Sequence, residues 1–218
     1  MNKLISTVLT LASMACLAPA AQAQSASAGE KKAAMCIGCH GIPGYQASFP
    51  EIYKVPKIAG QNAKYIASAL TAYGKGTRKH PTMTGIAVSL SEQDIADLAA
   101  YYEQLGKKDA RQVAPKPAQA PSAQVAALLQ KGNCLACHGE NFSQPIDPSY
   151  PKLGGQHADY LYAALKAYQT QGNPHVGRAD PIMGGMAKPF NVSELKLMAR
   201  YIGSLPGELS TIPPPRFK

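Results

Sequence analysis

Two short runs concentrate the reactive side chains of this chain. Cys36-Ile37-Gly38-Cys39-His40 and Cys134-Leu135-Ala136-Cys137-His138 hold four of its five cysteines and two of its five histidines. On a helical turn, positions i, i+3 and i+4 share one face. Two thiols at that spacing suit thioether bonds to the vinyl groups of a haem, with the adjacent imidazole delivered to the iron. Two other chemistries use similar residues. A zinc site could share four ligands between the motifs, and a redox dithiol could use one motif alone. The dithiol wants a preceding strand and a βαβ context, which the sequence lacks. The zinc reading is disfavoured because the motifs lie about a domain apart, in equivalent places of two repeats. Each repeat is therefore expected to hold one complete site, giving two covalently attached haem c groups. That use accounts for Cys36, Cys39, Cys134 and Cys137 and leaves no disulfide framework to build.

The opposite face of each iron needs a second ligand. Met83 and Met183 occupy equivalent positions ahead of the last helical segment of each repeat. A thioether is a soft ligand that raises the reduction potential of a haem iron. Met183 competes with Met186, three residues on. Met183 is favoured because it precedes Phe190 by the same interval at which Met83 precedes Leu90. Met35 and Met198 read as packing residues on helix faces. His80, His157 and His175 have no repeat partners and read as surface or capping residues. Each ligating histidine also needs its second nitrogen held. The backbone carbonyls of Pro56 and Pro151 are candidates, since proline fixes the local backbone, although both segments also read as plain turns. Tyr65 and Tyr160 fit either a bond to a haem propionate or the core.

The elements that must position these groups come in two copies. Pro56-Lys57-Ile58-Ala59-Gly60-Gln61 matches Pro151-Lys152-Leu153-Gly154-Gly155-Gln156, and Tyr65, Leu70, Ala72 and Tyr73 match Tyr160, Leu165, Ala167 and Tyr168. Pro81-Thr82-Met83 matches Pro181-Ile182-Met183. A shared order at nearly constant spacing is the signature of a duplication. Each copy reads as helical. A short helix over 30–36 leads into the first Cys motif, with 125–131 as its counterpart. Asn62 is placed to cap a helix to about Tyr73, paralleled by 159–168. Ser91-Glu92-Gln93-Asp94 and Asn191-Val192-Ser193-Glu194 resemble capping boxes opening helices to about Leu105 and Leu205. The Pro-x-Met segments are expected in loops, and no β-alternation is persuasive.

The expected layout is a signal peptide at 1–23, a first domain at 24–106, a Pro/Ala-rich linker at 107–122 and a second domain at 123–218. Lys3, an apolar stretch to Leu17 and Ala21-Gln22-Ala23 are the parts of a cleavable export signal. Cys16 lies inside it. No later segment is apolar for long enough to span a bilayer. Of the 218 residues 45 % are hydrophobic, but only 7 % are aromatic and none is Trp. Large apolar anchors are scarce, so a flat, largely apolar macrocycle is expected to complete each core. The formal charge of +9 is spread without arginine clusters. It reads either as plain solubility or as steering toward an acidic partner or peripheral association with an anionic membrane surface, and export argues against nucleic acid.

The chain resembles the two-haem cytochrome c4 family, built from tandem class I cytochrome c domains. The resemblance rests on the paired Cys-x-x-Cys-His motifs, the Pro-Lys-Ile/Leu-x-Gly-Gln turns, the helices carrying Tyr65 and Tyr160, and Met83-Thr84-Gly85 with the run from Leu90 to Tyr101. It implies an all-α fold of two such domains, each wrapped around one haem. It also implies His40/Met83 and His138/Met183 ligation, with Pro56 and Pro151 accepting the histidine hydrogen bonds. In function it implies a periplasmic one-electron carrier, not an enzyme, between a donor such as a quinol-cytochrome c reductase and an acceptor such as a terminal oxidase. The alternatives are an electron-transfer subunit docked on a periplasmic dehydrogenase and a two-haem enzyme such as a peroxidase. The second repeat departs from the family pattern at Lys188-Pro189-Phe190-Asn191.

Overall fold

The structure, a computed structural model, describes residues 23–107, 113–117 and 119–213. The expected signal peptide lies outside the described residues except for Ala23, as does part of the expected linker. The first half runs α1 (Ala26–Lys32), α2 (Ala34–His40), β1 (Gln46–Ala47), β2 (Tyr53–Lys54), α3 (Ala63–Gly74), β3 (Arg78–Lys79), α4 (Pro81–Ala87) and α5 (Glu92–Lys107). The second half repeats it, without a counterpart of β1 and β2 among the described residues, as α6 (Ala123–Lys131), α7 (Cys134–His138), α8 (Ala158–Gln169), β4 (Gly177–Arg178), α9 (Pro181–Ala187) and α10 (Val192–Ser204).

In both halves the first helix packs on the last, and the last packs on the middle one. The α1–α5 crossing is close because Gly29 has no side chain. A Cβ there would lie 2.1 Å from the Asp97 carbonyl oxygen. The first core gathers Ala33, Ile66, Leu98, Ala99 and Tyr102. The second is larger and centres on Phe142 and Leu195, both fully buried.

Several local expectations are corrected by the fold. The first helix begins earlier, at Ala26, because Ser25 accepts the Ala28 N–H, and it is separate from the helix carrying the Cys motif. The Pro-x-Met segments are short helices, not loops. Each has Pro at its first position and a capping side chain before it: His80 accepts the Met83 N–H at 3.4 Å, and Asp180 accepts the Met183 N–H at 2.8 Å. Proline at the first helical position costs no intrahelical bond, so the glycines that follow were misleading. Asn62 stands at the cap position of α3 but makes no side-chain cap bond. Its amide instead donates to the Tyr150 carbonyl of the other half at 3.1 Å. Met198 is buried in the second core, whereas Met35 lies outside the first core, on the cavity beside Cys36 and Cys39. Both capping boxes are present, Ser91 with Asp94 and Asn191 with Glu194.

The two halves are joined through an interface with approximate two-fold character. β3 and β4 pair antiparallel with Arg78 opposite Arg178. Gln61 and Gln156, each only 4 % exposed, reach across it in opposite directions. Gln61 accepts the Lys152 N–H at 2.9 Å and donates to the Lys152 carbonyl at 3.0 Å. Gln156 does the same to Lys57, at 3.0 and 2.9 Å. The ion pairs Lys54–Asp159, Lys64–Asp147 and Lys166–Glu51 ring the contact. The segment after α10 crosses to the first half, where Ser210 N–H donates to the Ala59 carbonyl at 3.0 Å.

Candidate functional site

Each Cys-x-x-Cys-His run forms a short helix whose last residue is the histidine. Cys36, Cys39 and His40 line a cavity that continues through the interface to Cys134, Cys137 and His138. None of these thiols is in a disulfide. Burial pushes the Cys36 and Cys134 thiols up from their ordinary range. Burial also holds both imidazoles below theirs, with the Pro56 and Pro151 carbonyls pulling the other way. Neutral imidazole is the form that ligates a metal.

His40 Nδ1 lies 2.9 Å from the Pro56 carbonyl oxygen, and His138 Nδ1 lies 3.2 Å from that of Pro151. A carbonyl can only accept, so Nδ1–H donates and the lone pair of Nε2 is left for a metal. Met83 and Met183, each at the third position of its short helix, line the same cavity half-buried. Met186 also lines it but is 42 % exposed. Helix caps at His80 and Asp180 fix the two half-buried methionines in equivalent places.

The remaining histidines play unequal parts. His80 caps α4, and its Nε2 is buried without a hydrogen-bond partner among the described residues. His157 stands at the cap position of α8 without a side-chain cap bond, and His175 is exposed.

Sequence reasoning overlooked two arginines. Arg78 donates to the Tyr65 hydroxyl at 3.1 Å and to the Tyr160 hydroxyl at 3.0 Å. Arg178 donates to Tyr160 at 3.1 Å and to Tyr168 at 3.4 Å. The guanidiniums stack over Tyr73 and Tyr168, 4.7 and 5.2 Å from the ring centroids. Among the described residues neither meets a carboxylate, and Arg78 Nε is buried without a partner. Against the opposing effect of burial, the two guanidiniums pull the Tyr160 hydroxyl below its ordinary range. Two half-buried cations whose side-chain partners are phenols call for an anion. A haem fits this cavity at both ends of its chemistry. Paired thiols and an oriented imidazole suit its apolar ring and iron, and the arginine pair suits its propionate carboxylates. The signal was present in the repeat, since Arg78 and Arg178 stand at the same offset as Met83 and Met183.

The cytochrome c family matches the chain twice, over residues 26–106 and 122–206. Cytochrome c4 of Pseudomonas aeruginosa is 32 % identical over 209 residues, covering 94 % of this chain and all of that one. A thiosulfate dehydrogenase electron acceptor of Thiomonas intermedia is 33 % identical over 211 residues, covering 91 % of both. The solved structure of reduced recombinant cytochrome c4 from Pseudomonas stutzeri superposes with a TM-score of 0.63 at 29 % identity, covering 84 % of this chain and all of that one.

Proposed function

The chain belongs to the cytochrome c4 family, tandem cytochrome c domains carrying two covalently bound haem c groups, and from that premise we propose how its residues serve a periplasmic electron carrier. As a member it is a dihaem electron-transfer protein and not an enzyme. In our reading an export signal over 1–23 is removed, and 24–106 and 123–218 form the two haem domains joined by 107–122.

Cys36 and Cys39 anchor one haem, and Cys134 and Cys137 the other. His40 and Met83 would hold the first iron, and His138 and Met183 the second. The haem supplies a one-electron iron couple. The protein positions it, sets its potential and excludes water. A methionine thioether paired with the histidine would favour the reduced iron and raise its potential. The Pro56 and Pro151 carbonyls hold each imidazole in one tautomer and orientation. Arg78 and Arg178 hold propionates at the interface, which turns an otherwise costly cation pair into a paired one. With a histidine and a methionine both held at each iron, no position would be left open for a substrate. Exposed apolar residues, Ile42 just after the first motif and Leu135 within the second, surround the points where electrons leave.

The single observation carrying this reading is the equivalence of the two sites. Each has a Cys-x-x-Cys-His helix, a proline carbonyl on Nδ1 and a capped methionine helix, and both open on one cavity. The chain would take electrons from a donor such as a quinol-cytochrome c reductase and pass them to an acceptor such as a terminal oxidase. A second reading, acceptor for a thiosulfate-oxidising dehydrogenase, is favoured by the relative of that name. An optical redox titration of the holoprotein tests the carrier reading. It should take up two electrons per chain, and the reduced protein should not bind carbon monoxide at neutral pH. Ready carbon monoxide binding would mean an open iron and would overturn it. Stopped-flow reduction by a purified thiosulfate dehydrogenase separates the two partner readings.

A further inference from the structure

We propose that Gln61 and Gln156 tune the haems crosswise, each setting the potential of the haem in the opposite domain through the peptide that holds its axial histidine. This rests on the ligation by His40 and His138 proposed above. The carbonyl of Pro56 and the N–H of Lys57 belong to one amide. On its oxygen side that amide accepts from His40 Nδ1 at 2.9 Å. On its nitrogen side it donates to Gln156 Oε1 of the other domain at 3.0 Å. The mirror arrangement runs from His138 Nδ1 to the Pro151 carbonyl at 3.2 Å, and from the Lys152 N–H to Gln61 Oε1 at 2.9 Å. Each glutamine is therefore the last member of a chain of two hydrogen bonds that starts at the imidazole in the other domain.

Amide resonance links the two sides of such a peptide. An acceptor on the N–H shifts electron density to the carbonyl oxygen and strengthens the bond that oxygen accepts. A stronger bond at Nδ1 gives the imidazole more anionic character and makes it a more basic ligand. That favours the oxidised iron and lowers the potential. The glutamines suit the task because both are almost fully buried and held rigidly. Each also donates through Nε2 to the carbonyl of the same lysine, and each accepts the next backbone N–H of its own domain, Asn62 for Gln61 and His157 for Gln156, at 3.0 Å. A clamp needed only to hold the domains together could grip any exposed peptide of the partner. Both glutamines grip the one amide that serves the axial histidine. The relay is tighter toward His40, so Gln156 should have the larger effect.

The test uses holoprotein labelled with 15N-histidine, titrated by potential and followed by NMR at His40 and His138 separately. Gln156→Met keeps the side chain's bulk and removes its acceptor. It should shift the redox equilibrium of the His40 haem about threefold toward the reduced form, on the scale of a 10–30 % strengthening per bond in a chain. That is about 30 mV upward at 59 mV per tenfold. The His138 haem should stay in place, and the His40 Nδ1–H resonance should move upfield. Gln61→Met should do the mirror image, with a smaller shift. Gln156→Glu retains an acceptor oxygen and should move the His40 haem the other way, and more than the His138 haem. Equal shifts at both haems, a shift confined to the variant's own domain, or no shift would overturn the proposal. Absence of hyperfine-shifted histidine signals in the ferric wild type is a different failure, since it would overturn the ligation itself.

Discussion

Replacing Gln61 by methionine should loosen the contact between the two halves by a predictable amount. Gln61 is 4 % exposed. It makes three hydrogen bonds: from the Asn62 N–H at 3.0 Å, from the Lys152 N–H at 2.9 Å and to the Lys152 carbonyl at 3.0 Å. Methionine preserves the volume and removes all three. At a net of about 1 kcal/mol per bond the cost is about 3 kcal/mol, about two-thirds of it from the two bonds that cross between the halves, near a hundredfold in the overall equilibrium. Gln156→Met should cost the same, because its three bonds involve His157 N–H, Lys57 N–H and the Lys57 carbonyl. Guanidinium unfolding of the holoprotein, read by far-ultraviolet circular dichroism and by the haem Soret band, measures it through the shift in midpoint. A cost below about 1 kcal/mol in both variants would refute the view that these amides close the interface.

Three further predictions follow from the same geometry. Gly29→Ala places a Cβ 2.1 Å from the Asp97 carbonyl oxygen and 2.7 Å from Tyr101 Cβ; overpacking should cost about 1–3 kcal/mol, read as a lower melting temperature. Asp147 is held down to about 2, chiefly by Ser149 and then by Lys64. Asp159 is held below its usual range by the Lys54 and Tyr160 backbone N–H groups and the Lys54 ammonium, against its burial. Both folded values lie below the unfolded one, so this stabilisation is complete above about pH 4 and is lost as pH falls toward 2. Unfolding midpoints taken from pH 5 downward should show it, and Asp159→Asn should flatten part of the fall. Arg78→Met removes a positive charge beside the proposed propionates and should lower both potentials. One unit charge across roughly 10 Å at an effective dielectric of about 20 is worth about 1–2 kcal/mol, so an unchanged potential in a spectroelectrochemical titration would argue against the arginine–propionate pairing.

Much of this molecule could be read before the fold was seen, because the duplication doubled every signal. The long helices α5 and α10 carry strong caps and amphipathic faces, and both begin where Ser91 and Asn191 place them. The Cys motifs have one covalent chemistry that suits their spacing. What escaped the sequence depends on contacts between the halves. Asn62 has the right position to cap α3, but the facing Tyr150 carbonyl takes its amide. Gln61 and Gln156 looked like turn residues because their partners lie far away in the chain. Arg78 and Arg178 lie far apart in the chain, and only the pairing of β3 with β4 brings them together. The short helices α4 and α9 were hidden by Gly85, Gly184 and Gly185, although His80-Pro81 and Asp180-Pro181 are starts of the kind that proline favours.

The proposed methionine ligands, Met83 and Met183, offer the most direct trial of the account. Ferric iron ligated by thioether sulfur has a weak near-infrared band, and the oxidised holoprotein should show it at the strength of two haems. Met83→Ala and Met183→Ala should each remove half of it, the double variant should remove it all, and Met186→Ala should leave it whole. A band that survives in the double variant, or one halved by Met186→Ala, would contradict the ligation of both irons.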